Sequence, residues 1–108
     1  MSVIADHRTN HEIRGILAQR LRQRRIERNL LIDDLAVHAG VNRKTILALE
    51  GGEDIRLSSL IKILRSLDML GLLEAAIPDS LPGNAALVRG GTPRTRARRA
   101  KSKAGRNV

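Results

Sequence analysis

The sequence predicts an all-α domain of five short helices followed by a disordered basic tail, and three observations carry that expectation. First, the 108 residues contain no Phe, Tyr, Trp or Cys. An aliphatic core of Leu, Ile, Val and Ala favours packed helices over a β-sandwich, whose strands draw on aromatics. Second, the apolar residues recur at helical spacing in five segments, several of them closed by Gly or Pro. Third, the charge is unevenly divided. Of 20 Lys and Arg, seven lie in residues 91–108 beside no acid, which leaves 13 against 11 acidic residues in 1–90, a net of +2 out of +9. The chain is too short for two cores.

The first helix opens at Thr9-Asn10-His11-Glu12, which has the form of a capping box. Ile13, Ile16, Leu17 and Leu21 make its apolar stripe, while Arg20, Arg22, Arg24, Arg25 and Arg28 occupy other positions, and it is expected to end near Asn29. The second, Ile32 to Ala39, carries Asp33 and Asp34 in its first turn, where acids suit the helix dipole. Its inner face is Ile32, Leu35, Ala36 and Ala39, and Gly40 stops it. Asn42 is a good N-cap for the third helix, Arg43 to Glu50, which Gly51-Gly52 terminates. Leu57, Leu60, Ile61, Leu64 and Leu67 define the fourth, and the fifth runs around Leu70 to Ile77, ahead of Pro78. The chain thus divides into an N-terminal arm (1–12), a helical domain (13–78), a linker with a short apolar segment (79–90) and the tail (91–108). The tail is too polar and too uniformly charged to offset its ordering entropy.

Two short helices joined by a three-residue turn containing Gly have the form of a helix-turn-helix. In projection, Ile46, Leu49 and Glu50 of the third helix face the core. Lys44 and Ala48 lie opposite, flanked by Thr45 and Leu47, and Arg43 points forward from the first turn. Cations at a helix start oppose the dipole, so their use lies outside the chain. An eight-residue helix with this outer face fits the major groove of B-DNA, where Arg43 and Lys44 can donate to guanine O6 and N7 or to phosphate. The DNA-facing set is Asn42, Arg43, Lys44, Thr45, Leu47 and Ala48.

Residues 15 to 77 resemble the lambda-repressor-like, Xre-type helix-turn-helix family. The resemblance rests on RLRQRR, LAVHAGVNRKTILALEGG and LSSLIKILRSLDML in register, with Leu35, Ala36, Gly40, Val41, Ile46, Glu50 and Gly52 fitting the family pattern. It implies an ion pair between Arg25 and Glu50, which gives the inward-facing carboxylate the partner it needs. Three positions depart from the pattern. Leu31 and Ile32 stand where a polar cap and a Gln are usual, Glu53-Asp54 replaces an often basic loop, and Leu47 is apolar on the DNA-facing side. Leu47 suits a thymine methyl or a protein contact.

The segment SLIKILRSLDMLGLLEAAIPDSLPG with its Arg-rich end is similar to HipB-like antitoxins, which dimerise, repress their own operon and restrain a HipA-type kinase toxin. That similarity makes an autoregulating antitoxin the preferred expectation. A stand-alone or phage-type regulator comes next, then a protein-interaction adaptor that has lost DNA binding. Leu70, Leu72, Leu73, Ile77, Leu81, Leu87 and Val88 cover the fourth helix or form a dimer interface. The homodimer is preferred, since such proteins read paired half-sites. In the tail, Arg94, Arg96, Arg98 and Arg99 make phosphate contacts or serve only solubility.

Other functions are disfavoured. Without Cys there is no disulfide, zinc knuckle or thiol nucleophile, and without aromatics single-stranded nucleic acid lacks its stacking platform. No apolar run resembles a signal peptide or spans 18 residues, so a cytoplasmic protein without membrane contact is expected. His7 and His11 have helical metal-ligand spacing but no third ligand. No nucleophile–base pair, phosphate loop or cofactor motif is present, and neither an enzyme nor a cofactor is expected.

Overall fold

The computed structural model describes residues 3–81 and 96–97. The described residues form five α-helices and no strand: α1 Asn10–Glu27, α2 Ile32–Ala39, α3 Arg43–Glu50, α4 Leu57–Ser66 and α5 Leu70–Ala76. The chain divides into two units, Met1–Ala75 and Ala76–Val108, and the first holds the core. Of the basic tail, Arg94, Arg98 and Arg99 lie outside the described residues, whereas Arg96 is exposed.

Helix α1 begins one residue after Thr9, whose Oγ1 accepts from the Glu12 N–H at 3.1 Å while the Glu12 carboxylate accepts from the Thr9 N–H at 2.8 Å. That backbone hydrogen bond holds the Glu12 carboxyl below its ordinary pKa. Residues 10–12 are therefore the first turn of the helix, as the capping box predicts, although the division into segments counted them with the arm. The capping box fixes the start, and the change to apolar periodicity at Ile13 comes one turn later.

Four helices end alike, with an N–H two or three residues beyond the helix reaching back to the carbonyl five earlier. The bonds are Leu30 to Arg25 at 3.1 Å, Val41 to Ala36 at 3.0 Å, Glu53 to Ala48 at 2.9 Å and Met69 to Leu64 at 2.9 Å. This closure needs one residue in the left-handed region. Asn29, Gly40, Gly52 and Asp68 supply it, with φ of 58°, 71°, 80° and 57°. Gly40 and Gly52 do so without a Cβ penalty, and Asn and Asp tolerate that region better than other side chains.

The core joins α1 to α4: Leu21, Leu35, Ala36, Ile46, Leu49, Ile63 and Leu67 are buried together, with Leu30, Ile32, Ala39, Val41, Ile55, Leu60, Leu64 and Met69 packed around them. Helix α2 packs on both α3 and α4, and α3 also packs on α1. Leu60, Leu64 and Leu67 of the expected α4 stripe lie in or against the core, but one position differs. Ile63 is completely buried, and Leu57, which the periodicity placed in the stripe, is 71% exposed. Apolar residues surround so much of this helix that two overlapping stripes compete, and packing against α2 selects the one through Ile63. In α1, Ile16 and Leu21 are buried as the stripe requires, Ile13 is half-buried and Leu17 is exposed; Ala18 takes an inward position instead. Helix α5 has no buried residue.

Candidate nucleic-acid interface

Helix α3 is held from one side. Ile46 and Leu49 enter the core, and Glu50 turns its carboxylate toward α1. There Arg25 donates from Nε at 2.7 Å and from a terminal nitrogen at 3.0 Å, a two-point contact between side chains only 9% and 8% exposed. The remaining Arg25 nitrogen donates to the Leu30 carbonyl at 2.7 Å. One guanidinium thereby ties the end of α3 to the connection into α2. Hydrogen bonding to Glu50 raises the already high pKa of Arg25. Arg22 reaches the same carboxylate at 4.0 Å. This arrangement sets the angle at which α3 leaves the core.

The opposite face of α3 is open. Lys44 is exposed, Thr45 and Ala48 are half-buried, and Leu47 is 42% exposed. Asn42 caps the helix, its Oδ1 accepting from the Lys44 N–H at 2.8 Å. The cap commits the oxygen and so directs the side-chain NH2, a pure donor, away from the helix.

Arg43 is placed differently from the forward-pointing free cation expected of it. Its Nε donates to Asp33 Oδ1 at 2.7 Å, across the turn to the first turn of α2. Asp34, the neighbouring acid, instead accepts from the Leu31 N–H at 3.0 Å and supplies the N-terminal closure of α2 that Leu31 cannot. The two adjacent aspartates, read from sequence as dipole partners, thus have separate structural uses.

Lys44, Thr45 and Ala48 line a shallow open groove whose other wall is Arg56 and Ser59, at the start of α4. Arg56 occupies the N-cap position, and no side chain caps this helix. Two basic side chains, Lys44 and Arg56, therefore border one space beside an uncapped helix start, a combination suited to a phosphate. Asp54 also borders the groove, and Arg14 of α1 meets it at 3.2 Å. That pairing partly offsets the repulsion expected from the acidic Glu53-Asp54 loop. Sequence reasoning passed over Arg56 and Ser59. The available signal was negative, a helix start without a capping residue.

The arginines on the outside of α1 are mostly engaged with carboxylates: Arg24 with Glu27 at 3.9 Å, and Arg28 with Asp68. No cluster of three metal-ligating side chains occurs among the described residues, and none of their helices is long and apolar enough to cross a membrane. No family model and no curated protein matches this chain.

Proposed function

We propose that this protein binds double-stranded DNA sequence-specifically, inserting α3 into the major groove and acting as a homodimeric repressor. One observation carries the reading. An eight-residue helix is anchored by Ile46, Leu49 and Glu50, and its opposite face combines a cation with two small residues beside a second basic helix start. Small residues permit close approach to base edges, cations supply donors, and α4 offers a phosphate seat along the same groove. The helix-turn-helix spacing and the family resemblance support the same conclusion. Two copies would read half-sites about 34–36 Å apart.

Within this reading, the biological role is an autoregulating antitoxin that contacts a HipA-like kinase. The resemblance of the C-terminal half supports it. A stand-alone regulator would repress normally without binding any neighbouring gene product. The adaptor reading draws on Leu31, just before α2, and Val37 on it, which are 70% and 78% exposed.

The deciding experiment enriches duplexes from a randomised library with the parent protein, then measures affinity for enriched and unselected duplexes at one salt concentration. Arg43→Ala should lose ~1–3 kcal/mol on the enriched duplex and relax the preference at one base pair per half-site. Ala48→Glu should abolish binding while circular dichroism stays unchanged. If both variants bind like the parent, α3 does not read DNA and the adaptor reading replaces this one.

A further inference from the structure

The contact between Asp33 and Arg43 has no evident use in folding. Both side chains are open to solvent, at 59% for Arg43 and 73% for Asp33, and an ion pair so exposed contributes little to stability. The α2–α3 turn is already fixed by Leu35, Ala36 and Ile46 in the core and by the backbone closure of Val41 on Ala36. What the contact does determine is where the Arg43 guanidinium points.

The nitrogen used is the informative detail. Asp33 takes Nε, the inner donor, and among the described residues this is the only side-chain hydrogen bond or ion pair of Arg43. The terminal pair of nitrogens stays available, and that pair forms the fork matching guanine O6 and N7. A free arginine at a helix start swings to any nearby phosphate, which is present at every sequence. An arginine held at Nε offers its terminal nitrogens in one fixed direction, and must leave the carboxylate to turn toward a phosphate lying elsewhere.

We propose that Asp33 is a specificity-determining positioning residue, which pre-orders Arg43 for a guanine edge and penalises its use on phosphate. The proposal rests on α3 reading DNA. An acid near DNA also repels every sequence alike, so the two effects of Asp33 must be separated. Repulsion changes affinity for all duplexes by one factor, whereas positioning changes the ratio between them.

The test uses the full chain and duplexes enriched from a randomised library. Affinities are measured for the enriched duplex, for versions with each G·C pair of a half-site replaced in turn, and for unselected duplex. The proteins are the parent, Asp33→Ala, Asp33→Asn, Arg43→Ala and the double variant Asp33→Ala/Arg43→Ala, with melting temperature as the folding control. Asp33→Ala should bind unselected duplex more tightly and lose about two- to fivefold in the ratio of enriched to unselected affinity, the scale an exposed ion pair can supply. The loss should concentrate at one G·C pair per half-site. Asp33→Asn keeps an acceptor oxygen without the charge, so it should raise all affinities while retaining most of the ratio. In the Arg43→Ala background, removing Asp33 should leave the ratio unchanged. A ratio unaffected by Asp33→Ala, beside a clear loss for Arg43→Ala, overturns the positioning role and leaves the DNA-reading helix standing. An equal effect of Asp33→Ala with Arg43 absent overturns it too. If no sequence is enriched, or if Arg43→Ala binds like the parent, base reading by Arg43 fails and the positioning role falls with it.

Discussion

Arg28 and Asp68 form an ion pair between the ends of two helices, each beside or at a residue in left-handed conformation. Arg28 precedes Asn29 at the close of α1, and Asp68 is itself the left-handed residue closing α4. The pair lies at the surface, with Asp68 70% exposed, in contrast to the enclosed contact of Arg25 with Glu50. The energetic consequences should differ accordingly. Glu50→Ala leaves the Arg25 guanidinium enclosed without its carboxylate and should cost ~3–5 kcal/mol. Asp68→Asn, which removes the charge and keeps a residue tolerant of positive φ, should cost no more than about 1 kcal/mol. Chemical denaturation of both variants checks the contrast, and a Glu50→Ala protein as stable as the parent would remove this pair from any account of how α3 is held.

The exchange of Leu57 for Ile63 on the inner face of α4 gives a second expectation. Ile63→Ala should destabilise by ~2–5 kcal/mol through lost burial and a residual cavity. Leu57→Ala, on an open face, should change stability by no more than about 0.5 kcal/mol. Equal losses at the two positions would restore the stripe that periodicity alone suggests.

Gly15 sits inside α1, where glycine is a poor helix former. A Cβ built there meets no atom within 4 Å, and its φ is not positive. Gly15→Ala should therefore stabilise the protein by roughly 0.5–1 kcal/mol. Gly52 presents the opposite case, because its φ of 80° strains any side chain added. Gly52→Ala should lower the melting temperature while Gly15→Ala raises it. Shifts of the same sign would refute the assignment of constraint to one glycine and not the other.

At the proposed DNA surface, Arg56 should act as a phosphate contact. Arg56→Ala should weaken enriched and unselected duplexes by similar factors and reduce the slope of log K against log salt by about 1. Removing residues 91–108, with seven cations, should flatten that slope further, again without sequence preference. A truncation that harms only the enriched duplex would mean the tail reads sequence or shape, and one that changes neither would leave it a solubilising extension.

Much of the fold is legible in the residues because each helix is bounded by local chemistry. Thr9 and Glu12, Asn42, Gly40 and Gly52 mark ends through hydrogen bonds or backbone freedom that act within a few residues. What was not legible depends on contacts between helices. Five apolar residues on α4 give no unique stripe until α2 is present, so Ile63 was passed over. Asp33 and Arg43 are ten positions apart, and nothing in their spacing says that one orients the other. Arg14 with Asp54 and Arg28 with Asp68 each join residues 40 apart. The groove at Arg56 likewise exists only once α3 and α4 are set side by side.

The absence of any buried residue from α5 has a consequence for how the protein opens. Amide hydrogens from Leu72 onward rely on the hydrogen bonds of this one short helix, and a seven-residue helix holds poorly in isolation. They should exchange with solvent through local fraying, at a rate nearly insensitive to low denaturant. Amides around Ile46 and Ile63 should exchange only when the whole core comes apart. The protein would then carry a readily melted C-terminal turn beside a cooperative unit, and a partner that captures α5 would be detected as slowed exchange in those seven residues before any change in the core.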